Sequence, residues 1–330
     1  MNNYVMVTDF ISADGTRDVS DDLQKIIDEN PNRTIYFPDG TYLIGKPICT
    51  PADPAKSVDL QLSNFAVIKA TDNWCDEEAM IRLGGKDPFN NIRKNGSNYS
   101  LTGGIIDGSG VANGVSIDSG RETAVRRVSI KHVKVGLHIK WGANTGSSDA
   151  DISEVHIVGN KAKDSIGVLV EAYDNTFTDM RITDVFIGVD LRVSGNYLRY
   201  VHPLYALDYT DYGNACAFRD HSGDNWYNHC YSDQYGVGYR VLGGGKSVFD
   251  SCRSYWYSPK GESHTAFRAD GAFNCILNNF SAGFKRSDEM NNVFLAVGEA
   301  GGKGVINNPL VDESLTTDDT YKAYVRGTVI

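Results

Sequence analysis

The sequence predicts an all-β chain wound as a single-stranded parallel β-helix, and three observations carry that prediction. Seven segments share one short pattern: Gly136–Lys140, Gly167–Glu171, Gly188–Arg192, Ala215–Arg219, Gly238–Leu242, His264–Arg268 and Asn292–Ala296. The six intervals between 136 and 292 average 26 residues, a solenoid period with no helical stretch between copies. Within each copy the second and fourth residues are mostly apolar and the third and fifth often polar, so one face points inward. A second series supports the first. Asn or Ser follows the strand starts by eight to ten residues at Asn175, Asn196, Asn225, Ser247 and Asn274, each with an apolar residue two positions on. Asn tolerates a left-handed bend, and stacked Asn side chains can hydrogen-bond along a solenoid, so these residues read as corners.

The first 45 residues follow a different grammar. Ser20-Asp21-Asp22 reads as an N-cap cluster before the apolar spacing of Leu23, Ile26 and Ile27, so a short helix over Leu23–Ile27 is expected to cap the open end. Asn30-Pro31-Asn32 stops it, and residues 34–44 read as two strands around the turn Pro38-Asp39-Gly40. Residues 46–309 form the coils. The stretch 310–330 breaks the repeat, turns polar from Asp312 to Asp319, and ends in residues 321–330, which alternate like a strand. That strand either folds back over the last rung or pairs with a neighbouring subunit. One domain, 1–330, is expected, because a solenoid grows in one direction. Its predicted interior holds Val168, Val170, Val189, Leu191, Phe218, Val241 and Phe267.

Bulk composition narrows the partners. The chain is 41% hydrophobic and 22% charged, enough to bury a long core. A net charge of −10 without a basic block disfavours nucleic acid and anionic membranes. No apolar run reaches the length of a membrane span, and the first nine residues lack the charged start and apolar core of a signal peptide. Localisation therefore stays open between a cytoplasmic or phage-borne protein and a secreted one whose leader has been removed. The six cysteines show no metal-ligand spacing. Cys230 and Cys252, each five residues past a corner, should stack as free thiols.

Thr8-Asp9-Phe10, Ala13-Asp14-Gly15, Asp18, Asp21-Asp22 and Tyr36-Phe37-Pro38-Asp39-Gly40-Thr41-Tyr42 resemble the opening signature of the pectate-lyase-like superfamily of right-handed β-helix proteins. That group holds polysaccharide lyases, glycoside hydrolases, epimerases and tailspike depolymerases. The resemblance, with the general preference for right-handed crossovers, implies right-handed winding. It implies a carbohydrate ligand and says little about chemistry. The Asn-Thr-Asp, Asp-Asp, Gly-His-Gly and Arg-Ile-Lys set of polygalacturonase-type hydrolases is absent, as is the Asp-Pro-His pattern of alginate epimerases. No catalytic residue is carried over.

The site must then come from the strands. Aligned on their starts, they give two outward columns: His138, Leu169, Asp190, Ala217, Arg240, Ala266, Phe294, and Lys140, Glu171, Arg192, Arg219, Leu242, Arg268, Ala296. Lys140, Arg192, Arg219, Arg240 and Arg268 then surround two carboxylates on one face. The bland reading is a solvated ion-pair ladder with Glu171 between Lys140 and Arg192; the functional one is a groove for an anionic or hydroxyl-rich sugar. Glu171 and Asp190 would lie roughly 8 Å apart, in the range of an inverting acid and base. Asp220 offers a second partner for Asp190. Residues 219–224, with Arg219, Asp220, His221 and Asp224 around a glycine turn, could supply acid, base and sugar-binding charge together, or form only an Asx turn. Trp256, beside the loop 258–261, is a candidate for stacking on a sugar ring, with core packing as the alternative. Arg192→Ala and Arg219→Ala should then weaken substrate binding with little loss of stability.

Three motifs are set aside. Gly243–Ser247 follows Arg240 and precedes a strand, the wrong context for a phosphate loop. His202 and His229 fall in different columns, so no metal pair is expected. Asn32 and Asn98 match a glycosylation pattern that matters only on secretion. The catalytic set is thus Asp190, Asp220 and Glu171, and the binding set Arg192, Arg219, Arg240, His221, Asp224, Lys140, Arg268 and Trp256, with no metal and no cofactor. The expected activity is cleavage of glycosidic bonds in a poly- or oligosaccharide, by acid/base hydrolysis. The alternatives are β-elimination on a uronic-acid polymer, where calcium would enter, and a non-catalytic glycan-binding fibre. A homotrimer is the expected assembly.

Overall fold

The computed structural model describes residues 4–86, 100–141, 147–206, 212–257, 263–284, 291–312, 315 and 319–326. Both compact units of the chain, 1–176 and 177–330, are right-handed parallel β-helix. In the first, the helix Ser20–Glu29 buries Leu23, Ile26 and Ile27. It is longer than the predicted core, and its start differs from the prediction. Ser20 is not the cap: its N–H donates to Asp18 Oδ1 (2.8 Å), while its Oγ accepts the N–H of Gly45 (2.9 Å) and Lys46 (3.3 Å). Ser20 therefore ties the helix to the strand behind it. The strands Arg33–Phe37 and Gly40–Ile44 flank the turn as the sequence predicts.

One sheet of the first unit holds Ile48–Pro51, Ala79–Lys86, Asn113–Ile117, Val135–Ile139 and Ile166–Val170, each pairing in parallel with the next. The matching sheet of the second unit holds Ile187–Leu191, Cys216–Asp220, Val237–Val241, Ser263–Ala272 and Asn291–Glu299. All seven predicted interior residues are buried.

The register corrects the predicted columns. Val189 pairs with Phe218, Phe218 with Tyr239 and Tyr239 with Phe267. The residues just before these, Gly188, Ala217, Gly238 and Ala266, therefore share one position. A Cβ on Gly188 would lie 2.5 Å from the Ala217 carbonyl and 2.6 Å from Pro203; one on Gly136 would meet Gly167 O and Ile157 at 2.6 Å. A side chain at Gly136 or Gly188 would force its neighbours to move, and the inner rungs keep glycine or alanine at this position. That steric demand generates the repeat seen in the sequence. Alignment on Ala215 and His264 instead of Ala217 and Ala266 shifts those copies by two residues. Ala217, Ala266 and Phe294 are buried, not outward.

The corners work as a ladder at Asn175, Asn196, Asn225 and Ser247, but register puts Cys275, not Asn274, on the next rung, so Ile276 points outward and Leu277 inward. Asn225 Oδ1 accepts the N–H of Asn196 (2.9 Å), and Ser247 Oγ accepts that of Asn225 (3.1 Å); in the first unit Asn175 Oδ1 accepts from Ala150 N (3.0 Å). The left-handed residue, however, is the one before: Asp174, Gly195 and Asp224 have φ of 62°, 81° and 56°. A second left-handed corner joins the paired outer strands. It is made by Arg127 and Glu154 in the first unit and by Asp179, Tyr200, His229, Ser251, Asn279 and Asn308 in the second.

All six cysteines are free. Cys230 and Cys252 precede Tyr231 and Arg253, which pair across neighbouring rungs. Burial first, then Cys230, pushes the Cys252 thiol well up. The tail is not the long strand expected. Asp319–Tyr324 is a 3-10 helix whose Tyr321 ring packs on Phe294 (5.1 Å), and among the described residues of 319–330 only Val325–Arg326 pairs as strand, with Ile306 and Asn307. The end of that predicted strand, 327–330, lies outside the described residues, as do 258–261 and Asn98.

Asn225→Ala removes an acceptor for Asn196 and the donor that reaches Asp220 Oδ1 (3.0 Å) and Val193 O (3.2 Å), all at a buried corner. The expected loss is about 3 kcal/mol. Urea unfolding checks it, and an unchanged midpoint would remove the ladder from the stabilising contacts.

Candidate functional site

In the first unit the outward face of the strands gathers a polar group around a cavity of about 250 Å³, lined by Glu77, Glu78, Ser116, His138 and Lys140 among others. Register places Arg82, Ser116 and His138 in one column, because Arg82 pairs with Ser116 and Ser116 with His138. Asp118, Lys140 and Glu171 follow the inward Ile117, Ile139 and Val170, and their N–H groups donate to the Leu83, Ile117 and Ile139 carbonyls on the preceding rungs. His138 Nε2 lies 2.9 Å from Glu171 Oε2. Lys140 Nζ donates to Glu78 and lies 3.6 Å from Asp118 Oδ1, while Arg82 Nε donates to Asp118 Oδ2 at 2.8 Å. Burial pushes the His138 pKa below its ordinary value, and the hydrogen bond that His138 donates to Glu171 offsets only part of that. Within the first unit, Glu171 therefore has a histidine partner that the sequence reading did not anticipate.

In the second unit, Asp190, Arg219, Arg240 and Arg268 share one column, a grouping that the shifted alignment concealed. Asp190 is 0% exposed. It accepts from Arg219 Nε (2.7 Å), the Arg219 terminal nitrogen (2.8 Å) and His221 Nε2 (2.8 Å), with Arg192 Nε at 3.4 Å. Burial works to raise its pKa, but the hydrogen bonds from Arg219 and His221, then their charges, hold the carboxyl far below its usual range. Asp270 takes Arg240 (2.7 Å) and Arg268 (2.7 Å), and the same balance of burial against guanidinium bonds lowers its pKa. Four guanidinium groups thus face two carboxylates.

Several expected site residues are placed elsewhere. Asp220 points inward and is closed off by Gly223 N, Asn225 Nδ2, Tyr227 OH and Ser247 Oγ, so it braces a corner and cannot pair with the outward Asp190. Asp190 itself is sealed and held ionised, which suits an anchor for Arg219 and His221 and not a proton donor. Asp224 occupies the left-handed corner, where its carbonyl accepts Gly195 N (3.0 Å). Trp256 is 0% exposed, with its indole N–H on Tyr235 O (2.7 Å) and its ring stacked on Phe284 (4.5 Å), so it cannot meet a sugar. His221, Arg192, Arg240, Arg268 and Lys140 keep outward positions.

Glu78, Arg82 and Asp118 escaped the sequence reading because the repeat was counted from Gly136. Gly114-Val115-Ser116-Ile117 carries the same pattern one rung earlier and could have revealed Asp118; Glu78 and Arg82 lie a further rung back, where Met80 replaces the glycine. Among the described residues no three His, Cys, Asp or Glu side chains are placed to hold a metal ion.

A family model described as rhamnogalacturonase A/epimerase, pectate lyase-like matches residues 4–192. Among solved structures, the alginate lyase of Paenibacillus sp. str. FPU-7 is similar at 15% identity and a TM-score of 0.61, over 86% of this chain and 97% of that one. The endo-xylogalacturonan hydrolase of Aspergillus tubingensis gives 13% and 0.62 over 99% of both chains. The tailspike protein of E. coli bacteriophage HK620, solved also as a mutant in complex with a pentasaccharide, gives 13% and 0.63 over 95% of this chain and 66% of that one. At these identities the likeness is one of fold. No curated protein matches the sequence.

Arg219→Ala would strand a buried carboxylate, so the expectation of little stability loss is corrected: about 3–5 kcal/mol should be lost. Arg192, 43% exposed, should cost below about 1 kcal/mol on the same change. Equal urea midpoints for the two variants would refute the distinction. Because Asp190 and Asp270 titrate low in the folded state, their contribution is complete above the ordinary carboxylate value of about 3.9 and is lost as pH falls toward their folded values. The stability of Arg219→Ala should depend less on pH in that window than that of the unsubstituted protein.

Proposed function

The chain belongs to the rhamnogalacturonase A/epimerase, pectate lyase-like family, and from that membership we propose that it cleaves glycosidic bonds of a poly- or oligosaccharide by acid/base hydrolysis in the first unit's cavity. The carrying observation is the His138–Glu171 hydrogen bond of 2.9 Å at a cavity that also holds Glu78 against Lys140. Hydrolysis needs a proton for the leaving oxygen and a base for water on the opposite side. The His138–Glu171 pair holds a transferable proton in the active form, and Glu78, 41% exposed, is the base. Lys140 donates to a sugar hydroxyl. The names of the alginate lyase and the xylogalacturonan hydrolase support a carbohydrate substrate, and the tailspike complex supports an oligosaccharide ligand.

A second reading rests on Arg82 and Lys140, cations of the same unit, which suit an acidic sugar. On a uronate, neutral His138 would act as the base of a β-elimination. The two readings differ in sign. As the acid, the pair loses its proton as pH rises, so hydrolysis falls along a limb below the ordinary histidine value of about 6.5, where burial has moved His138. As the base, it makes turnover rise through the same limb, and the products absorb in the ultraviolet as unsaturated uronides.

Glu78→Gln, His138→Asn and Glu171→Gln should each lower kcat by about 10²- to 10⁴-fold on a cleaved glycan, with the circular dichroism of the fold retained. Unchanged turnover in all three would move the chemistry out of this cavity. Glycan binding without turnover in the unsubstituted protein would favour a fibre that only binds.

A further inference from the structure

The second unit has an outward face that takes no part in this chemistry. On its outer strands Tyr197, Trp226, Val248, Ile276 and Val305 pair in register, one per rung, while Leu198, Tyr227, Phe249, Leu277 and Ile306 face the core. Tyr197, Trp226 and Ile276 are 39%, 46% and 37% exposed. The architecture does not demand apolar residues there. The same position in the first unit holds Thr34, Asp59, Ser100, Ala124 and Asp151. Single exposed apolar side chains are ordinary, but a contiguous row of them marks a binding face.

Beside this row, two residues along each strand, runs Arg199, Asn228, Asp250, Asn278 and Asn307. Asn228 Nδ2 donates to Asp250 Oδ2 (3.0 Å) and Asn307 Nδ2 to Asn278 Oδ1 (2.9 Å). Amide groups have further donor and acceptor capacity beyond one bond each. From Arg199 to Asn307 the row carries one guanidinium and one carboxylate, and Arg326 pairs with Asn307 at its end. An apolar row with two aromatic rings on adjacent rungs, about 4.8 Å apart, flanked by donors and acceptors at the same pitch, is the complement of a sugar polymer. Its ring faces are apolar and its edges carry hydroxyls.

We propose that this face binds a neutral, linear glycan laid across the rungs, with sugar rings on Tyr197 and Trp226 and hydroxyls on the amide row. Docking of a second copy is the weaker reading, because a net charge of −10 sets like charges against each other. The site is distinct from the cavity around His138, and its function does not depend on catalysis there.

Affinity electrophoresis of the full chain in gels containing xylan, galactomannan or a mixed-linkage glucan, with polygalacturonate as the acidic control, tests the proposal. Retardation by at least one neutral glycan is expected, with Trp226→Ala and Tyr197→Ala each raising its Kd about tenfold. Both side chains are exposed, so the variants should fold, which circular dichroism checks. Turnover of a short soluble substrate should not change in either. No retardation by any neutral glycan, retardation by polygalacturonate alone, or equal retardation of the variants overturns the proposal. A concentration-dependent mass by light scattering that Trp226→Ala returns to the monomer would assign the face to a second copy instead, and also overturns it.

Discussion

Parallel rungs stack about 4.8 Å apart, so the nearest neighbours of every side chain are those at the same register position above and below. Most of what distinguishes this chain follows from that constraint. Inside, rings must lie over rings: Phe218 stacks on Tyr239 at 4.7 Å and Tyr227 on Phe249 at 4.3 Å, with nearly parallel planes. Where the backbone passes closest to the next rung, the inner rungs carry glycine or alanine, at Gly188, Ala217, Gly238 and Ala266. At the corners, a buried Asn or Ser turns the same proximity into a hydrogen bond.

Charges obey the constraint less comfortably. Arg219 and Arg240 are register neighbours, and so are Arg240 and Arg268. Three stacked guanidinium groups would repel. They are drawn apart because Arg219 turns to Asp190, while Arg240 and Arg268 share Asp270. The fully buried Asp190 is costly to bury alone and is stable only with its donors in place. The first unit meets the same problem with mixed signs, setting Lys140 between Asp118 and Glu78 and leaving His138 to Glu171. One column thus gathers four guanidinium groups on two carboxylates, and the other interleaves its charges.

The repeat, the capping helix and the interior were legible because each imposes its own period or local pattern on the sequence. Gly136 and Gly188 announce the close approach of rungs, and Leu23, Ile26 and Ile27 announce one face of a helix. The site was legible only in part. Which strand is outward depends on a two-residue choice of register, and Ala215 imitates the small residue that belongs at Ala217. That slip exchanged partners among Arg219, Arg240 and Arg268. Burial of Asp220 was hidden for another reason: its four partners, spread from Gly223 to Ser247, meet only after the corner has folded. Trp256 gave no sign of its depth, since an aromatic beside a loop reads alike whether it points in or out.

The outer corner of the later rungs is turned by one left-handed residue, and the side chains found there are Arg127 and Glu154 in one unit and Asp179, Tyr200, His229, Ser251, Asn279 and Asn308 in the other. The conformation costs roughly 1–2 kcal/mol for a residue other than glycine, and rung stacking bears that cost whatever the side chain. The fold therefore exerts almost no preference over which amino acid stands at these positions. They amount to a ruler with a pitch of about 4.8 Å, on which each mark can be rewritten without disturbing its neighbours. A chain built this way can acquire a new surface one rung at a time while its interior is inherited intact.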